Sequence, residues 1–81
     1  MLRLKEKDVI LLGNNAEYVA TYNALIKKWD LEITVGKTDF VKGEVAMLLT
    51  SRNRIKQFRN LDTLSNMLNR LGVKKFSTYT H

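Results

Sequence analysis

The chain has 81 residues, 44% of them hydrophobic and 27% charged. This composition predicts one folded domain over residues 1–81 and excludes a multi-domain or disordered chain. It contains no cysteine, and His81 is its only histidine, so disulfides, zinc–thiolate sites and an oriented imidazole base are excluded.

The positive charge is unevenly distributed along the chain. Residues 1–40 carry six cations and six anions, so their formal charges cancel. Residues 41–81 carry eight cations against two anions, Glu44 and Asp62, and this difference accounts for the whole net charge of +6. A surface of one sign attracts opposite charge over roughly 8 to 10 Å. We therefore expect a polyanionic partner for the second half.

The first half begins with an apolar run at residues 8–12 that ends at Gly13, Asn14 and Asn15, which predicts a strand followed by a turn. Tyr18, Tyr22, Leu25 and Trp29 then recur at helical spacing and predict an amphipathic helix over residues 16–29.

The aromatic side chains of this predicted helix fit a core position, and they also fit a partner surface or dimer seam. Alternating polarity over residues 31–35 predicts a second strand, and residues 37–43 form a predicted loop.

The second half opens with residues 45–50, which are apolar on both alternating faces and predict a central strand covered on both sides. Turn residues follow at 51–53, where Asn53 tolerates a positive φ, and residues 54–58 would return antiparallel as a hairpin. Ile55 and Phe58 are three apart and cannot share one strand face, so we expect a bulge near Gln57 or a strand that ends before Phe58.

The last two predicted elements are a helix and a strand. Leu61, Leu64, Leu68 and Leu71 mark the buried face of a helix that Asn60 or Asp62 opens and Gly72 closes. Residues 73–80 predict the final strand. The order is βαβ followed by ββαβ. It predicts an α+β fold, with a mainly antiparallel sheet of four or five strands and two helices on one face, as a ferredoxin-like variant.

The inventory of chemical groups predicts a non-enzymatic protein. The carboxylates are scattered rather than set at ligand spacing, so we expect no metal and no cofactor. The longest apolar runs, at residues 9–12 and 45–49, fall far short of the roughly 18 residues that a membrane span needs. We expect no membrane partner, no signal peptide and a cytoplasmic location.

The candidate site is basic. Arg54 and Lys56 fall on one face of the predicted hairpin strand, Arg52 lies at the adjacent turn and Arg59 follows the strand, and Lys74 and Lys75 would extend the patch. Arginine binds phosphate bidentately, and a two-stranded ribbon fits a DNA groove. A solvated basic edge strand that prevents aggregation is an equally simple interpretation.

A resemblance to a known family covers residues 43–76. It is carried by two segments, Gly43-Glu44-Val45 through Leu49-Thr50-Ser51-Arg52, and Arg54-x-x-x-Phe58-x-x-Leu61-Asp62-Thr63-Leu64 with Leu71-Gly72-Val73. These segments resemble short plasmid-borne accessory proteins of the partition-associated kind. The resemblance implies an origin in a mobile element, and it assigns no functional residue.

Two functions follow as hypotheses. The first is a small accessory or regulatory protein that binds nucleic acid, DNA or RNA, through the basic hairpin. The second is a protein–protein interaction module, or an inhibitor, whose basic face docks on an acidic protein surface. In the second hypothesis the chain could also form a homodimer through the aromatic helix.

Overall fold

The computed structural model describes residues 2–80 and contains two helices, one 3₁₀ turn and six strands. In chain order the elements are β1 (Leu2–Leu4), α1 (Glu6–Leu12), the 3₁₀ turn Gly13–Asn15, β2 (Glu17–Asn23), β3 (Lys28–Val35), β4 (Glu44–Leu48), β5 (Gln57–Phe58), α2 (Leu61–Arg70) and β6 (Ser77–Thr80).

The six strands form one sheet in the order β1-β4-β3-β2-β6, with β5 also paired to β3. The central pairs are antiparallel, whereas β1 joins β4 and β6 joins β2 in parallel. The predicted α+β class with a mainly antiparallel sheet is confirmed. The strand order differs from the ferredoxin-like one, because each βαβ crossover here spans two intervening strands.

The first predicted strand, residues 8–12, is wrong, because these residues belong to α1. The Lys5 backbone N–H donates to Asp8 Oδ2 at 2.8 Å, and Val9 N–H donates to the Lys5 carbonyl at 3.2 Å, which closes the first turn. Carboxylates in a first turn also favour a helix. Val9 is the only buried residue of α1, so the apolar run signals a short helix with one inward side chain.

The predicted helix over residues 16–29 is also wrong, because these residues form the β2–β3 hairpin. Tyr18 and Tyr22 are four apart, and that spacing places two side chains on one face of a strand as well as of a helix. Tyr18 is 3% exposed in the core. Tyr22 lies opposite Trp29 with ring centroids 5.2 Å apart. The aromatic helix that would supply a dimer seam is therefore absent.

The predicted helix of the second half is confirmed as α2. Asn60 Oδ1 accepts the Thr63 backbone N–H at 2.8 Å, as an N-cap does. Gly72 follows the helix with a φ of 91°, a conformation that glycine adopts without strain. Leu64 and Leu68 are fully buried against the sheet.

The core lies between the helices and one face of the sheet. Its strand residues alternate along the chain, as the pleat requires, and are Tyr18, Ala20, Leu31, Ile33, Ala46, Leu48 and Phe58. The strand predicted at residues 45–50 is present as β4, and it lies between β1 and β3. It is covered on one face only, since Val45 is 45% exposed. The opposite face of the sheet is open.

The remaining predicted elements are a loop and a last strand. The predicted loop at residues 37–43 contains no helix or strand. The final strand begins at Ser77 rather than at residue 73, because the segment before it turns toward Asn14, whose Oδ1 accepts the Lys74 N–H at 3.1 Å. Within residues 2–80, no helix is long and apolar enough to cross a membrane.

Candidate nucleic-acid interface

The basic hairpin, residues 49–56, leaves the sheet between β4 and β5. Both strands pair with β3, since Met47 faces Glu32 and Gln57 faces Asp30. The intervening residues fold back on themselves, with Thr50 N–H donating to the Arg54 carbonyl at 2.7 Å and an isolated bridge between Leu49 and Ile55. The basic hairpin is thus a short excursion from what would otherwise be one continuous strand.

Ile55 and Phe58 do not need to share one strand face, because they pair with different segments of the chain. Ile55 pairs with Leu49 inside the excursion and is exposed, whereas Phe58 pairs with Trp29 of β3 and is buried. The predicted return of residues 54–58 against the preceding strand is therefore reduced to one antiparallel bridge, because residues 57–58 form β5 on β3 instead.

Thr50 organises the tip of the basic hairpin. Its Oγ1 accepts the backbone N–H groups of Arg52 and Arg54, both at 3.3 Å, and its carbonyl accepts that of Asn53 at 2.9 Å. Asn53 has a φ of 62°, as the turn chemistry predicts. These bonds fix the backbone that carries the two arginines. The role of Thr50 was missed from the sequence, although a threonine before a turn is a known signal for such bonds.

The cations of the basic hairpin have no carboxylate partner among the described residues. Arg52 and Arg54 are exposed, and neither takes part in the two ion pairs found within residues 2–80. Lys56 is half-buried, with Nζ 5.7 Å from the centroid of the Phe58 ring, a cation–π contact that positions the ammonium group. Arg59 is also exposed and lies beyond β5.

The fold adds two cations from the other half of the chain. A shallow cleft beside the basic hairpin is lined by Lys5, Glu6, Lys7, Leu49, Thr50 and Ser51. The Leu49 N–H donates to the Leu4 carbonyl at 2.7 Å and holds the two segments together.

The carboxylates near these two lysines are already engaged. Glu6 Oε1 lies 2.6 Å from Arg70 Nη2, and Asp8 accepts the Lys5 backbone N–H. Lys5 and Lys7 therefore add positive charge to the edge that carries the basic hairpin. Sequence reasoning missed both, because the first half is neutral in sum.

Lys74 and Lys75 are not brought to the basic hairpin. They line a separate open cleft of about 610 Å³ with Ala16, Glu17, Tyr18, Val19, Phe76 and Ser77. This cleft lies where β6 joins β2, so β2 and β3 stand between it and the β4–β5 edge. With strands about 4.8 Å apart and a Debye length near 8 Å, the two groups of cations act separately at physiological salt.

The open face of the sheet carries charges of both signs. Its carboxylates are Glu17, Asp30 and Glu32, and the strand registers place the cations Arg3 and Lys28 on the same face. Glu17 pairs with Lys37 at 3.2 Å, and Asp30 accepts Gln57 Nε2 at 2.8 Å, while Glu32 is exposed. The described charges of this face therefore offset one another, whereas those of the basic hairpin are all positive.

The Tyr18 side chain lies in the core with its hydroxyl group hydrogen-bonded. Burial raises the pKa of the Tyr18 phenol, because the charged form is disfavoured away from water. The hydroxyl donates to the Gly13 carbonyl at 2.7 Å and so ties the 3₁₀ turn to β2. This role is structural. Within residues 2–80 there is also no cluster of three potential metal ligands.

Comparisons with known proteins add no relative to this description. No family model matches the chain, and no curated protein and no solved structure matches it either.

Proposed function

We propose that the protein is a small, non-enzymatic nucleic-acid-binding protein that contacts phosphates through the basic hairpin. The observation that carries this proposal is the exposure of Arg52 and Arg54 on a turn fixed by Thr50, with no carboxylate partner among the described residues. Lys5 and Lys7 flank the same turn. Exposed cations without carboxylate partners are available to neutralise phosphates.

Contacts of this kind position a protein on nucleic acid without reading its sequence. Arginine offers two parallel N–H donors to one phosphate, and lysine offers a point charge. The binding is therefore expected to be strongly salt-dependent and weakly selective among sequences. An accessory or regulatory role in the cytoplasm, with an origin in a mobile element, is the setting we propose. The resemblance of residues 43–76 supports it.

Charge-matched variants test the proposal. Each phosphate contact contributes about 0.9 to the slope of log K against log salt, so losing two contacts weakens binding about 60-fold at roughly 0.1 M salt. We expect that loss for Arg52→Gln with Arg54→Gln, measured by fluorescence anisotropy on a duplex of about 20 base pairs.

The control is Lys74→Gln with Lys75→Gln, which removes the same charge from the opposite edge. We expect it to change the affinity by less than about threefold, because its cations are screened from the hairpin. Equal losses in the two double variants would show that net charge alone drives the binding, and would contradict a site at the hairpin.

A second candidate function is docking on an acidic protein surface, and the β2–β3 turn favours it. Leu25 is 94% exposed at the tip of that turn, where polar or glycine residues are usual. Lys27 holds a φ of 54° beside it, and Lys28 follows at the start of β3. An exposed leucine beside two lysines suits an apolar pocket rimmed by carboxylates.

The Leu25→Ser variant and nuclease treatment distinguish the two candidate functions. If docking on a protein is the function, Leu25→Ser abolishes a purified stoichiometric complex that survives nuclease treatment, and it leaves nucleic-acid affinity unchanged. If nucleic-acid binding is the function, Leu25→Ser has no effect and nuclease removes the bound partner.

A further inference from the structure

The tip of the basic hairpin has a defined turn. The Asn53 N–H donates to the Thr50 carbonyl at 2.9 Å, and the Thr50 N–H donates to the Arg54 carbonyl at 2.7 Å. With Asn53 at a φ of 62°, these bonds are those of a three-residue hairpin connection, in which a β-turn precedes a left-handed residue. Ser51 and Arg52 therefore form the apex, and residues 51–55 are all exposed.

We propose that this tip enters the major groove of B-form DNA, which makes duplex DNA, rather than RNA or a single strand, the partner of the basic hairpin; this rests on the proposed function. Paired strands lie about 4.8 Å apart, and a groove about 12 Å wide admits such a ribbon. Ser51 is two residues beyond the bridge between Leu49 and Ile55, a rise of about 7 Å along a strand. The groove is about 8.5 Å deep, so the tip reaches close to its floor.

The side chains of the tip suit the walls and the floor of this groove. Arg52 and Arg54 flank Asn53 and have no carboxylate partner among the described residues, so they can bind the phosphates that border the groove. The Asn53 side chain makes no hydrogen bond within residues 2–80, since its backbone N–H makes the bond to Thr50. An amide pairs bidentately with the major-groove edge of adenine. One such contact beside several phosphate contacts keeps the selectivity among sequences weak.

A single strand is disfavoured because the edge with the basic hairpin offers no stacking surface. Proteins hold single strands by stacking bases on exposed aromatic side chains. Within residues 2–80 the exposed aromatic side chains are Phe40 and Tyr79. Phe40 precedes β4 whereas the basic hairpin follows it, and β2 and β3 separate Tyr79 on β6 from β4. Phe58, next to the hairpin in the chain, is buried.

An RNA duplex is disfavoured by the shape of its grooves. The major groove of A-form RNA is deep and narrow, and side chains cannot read it. Its phosphates can still contact the exposed cations from outside. Lys5 and Lys7, which line the cleft at the base of the hairpin, would act on either duplex, whereas Asn53 at the tip would reach base edges only in DNA.

Two duplexes of one sequence, in DNA and in RNA and each of about 20 base pairs, test the proposal with equal numbers of phosphates. By fluorescence anisotropy at one salt concentration, we expect the DNA duplex to bind at least about fivefold more tightly. Salt-dependent binding that Arg52→Gln with Arg54→Gln weakens, but that is equal for the two duplexes or for a single strand, would overturn the groove assignment alone. Salt-independent binding, or none, would overturn the proposed function as well.

Blocking the major groove tests the same claim with the wild-type chain. Glucosylated 5-hydroxymethylcytosine fills this groove with a neutral sugar and leaves the phosphates unchanged, and the same duplex before glucosylation is the control. We expect glucosylation to weaken binding at least about fivefold. Equal affinities would show that the hairpin stays outside the groove.

The variant Asn53→Gly separates base contact from turn conformation, because glycine adopts a positive φ without strain. We expect it to weaken DNA binding about fivefold and to leave the salt slope unchanged, since no phosphate contact is lost. Asn66→Ala removes an amide from the exposed surface of α2 and should bind as the wild type does. An Asn53→Gly variant with wild-type affinity for DNA would contradict a base contact at the tip.

Discussion

Replacing Tyr18 by phenylalanine tests how the 3₁₀ turn is held to the sheet. The substitution keeps the ring in the core, where Tyr18 is 3% exposed, and removes the hydroxyl that donates to the Gly13 carbonyl at 2.7 Å. One such hydrogen bond contributes about 1 kcal/mol net. We expect Tyr18→Phe to lower the free energy of unfolding by about that amount at pH 7, measured by urea denaturation and followed by circular dichroism.

The same variant predicts a pH dependence with a definite sign. Burial raises the folded-state pKa of Tyr18 above its unfolded value, which is about 10. The stabilisation by the Tyr18 hydroxyl group is complete at pH values below the unfolded-state pKa. It is lost as pH rises through the folded pKa, because the unfolded chain releases its proton first.

Tyr18→Phe lacks this titration. The difference in the free energy of unfolding between the wild type and this variant should therefore narrow above about pH 10. Equal stabilities at pH 7, or a difference that widens at alkaline pH, would refute the reasoning.

Four further predictions concern the core, an exposed leucine, the cap of α2 and Trp29. Leu64→Ala and Leu68→Ala should each cost about 2 to 5 kcal/mol in denaturant titrations, because both side chains are fully buried. Leu11→Ala should cost less than about 0.5 kcal/mol, because Leu11 is 84% exposed. Asn60→Ala should cost about 1 kcal/mol through loss of the cap to Thr63, and unchanged denaturant midpoints would place the cap elsewhere. Quenching of Trp29 by acrylamide should be partial and constant over a hundredfold dilution, since Trp29 packs against its own hairpin.

The sequence predicts α2 well because several independent signals agree there. Leucines recur on one helical face, Asn60 caps the start and Gly72 follows the end. The turn of the basic hairpin is likewise predictable, since Asn53 is a residue that accepts a positive φ. Segments in which local propensity and the hydrophobic pattern agree can be predicted from the sequence.

The spacing of residues in the β2–β3 hairpin predicts a helix wrongly, because it satisfies the periods of both a helix and a strand. Tyr18 and Tyr22 fit both a helix and a strand, and Leu25 extends the helical pattern although it lies exposed in a turn. The tyrosines, threonine and valine of β2 favour a strand by propensity. The strand propensity of these residues predicts the observed structure, whereas their spacing does not.

The composition of the basic site depends on tertiary structure. Lys5 and Lys7 reach the basic hairpin because β1 pairs with β4. Lys74 and Lys75 are kept from it because β6 pairs with β2. These are pairings between distant segments, and the chain carries no local signal for them. The count of charges therefore predicts that the second half is basic, but it does not predict which cations lie beside the basic hairpin.

The most direct test of the central claim is the salt dependence of duplex binding by the wild type and by the two charge-matched double variants. With Arg52, Arg54, Lys5 and Lys7 each neutralising one phosphate, the wild type should give a log–log slope of magnitude about 3 to 4. Arg52→Gln with Arg54→Gln should reduce that magnitude by about 2, and Lys74→Gln with Lys75→Gln should leave it unchanged. A salt-independent affinity, or an equal reduction in both double variants, would contradict a nucleic-acid site at the basic hairpin.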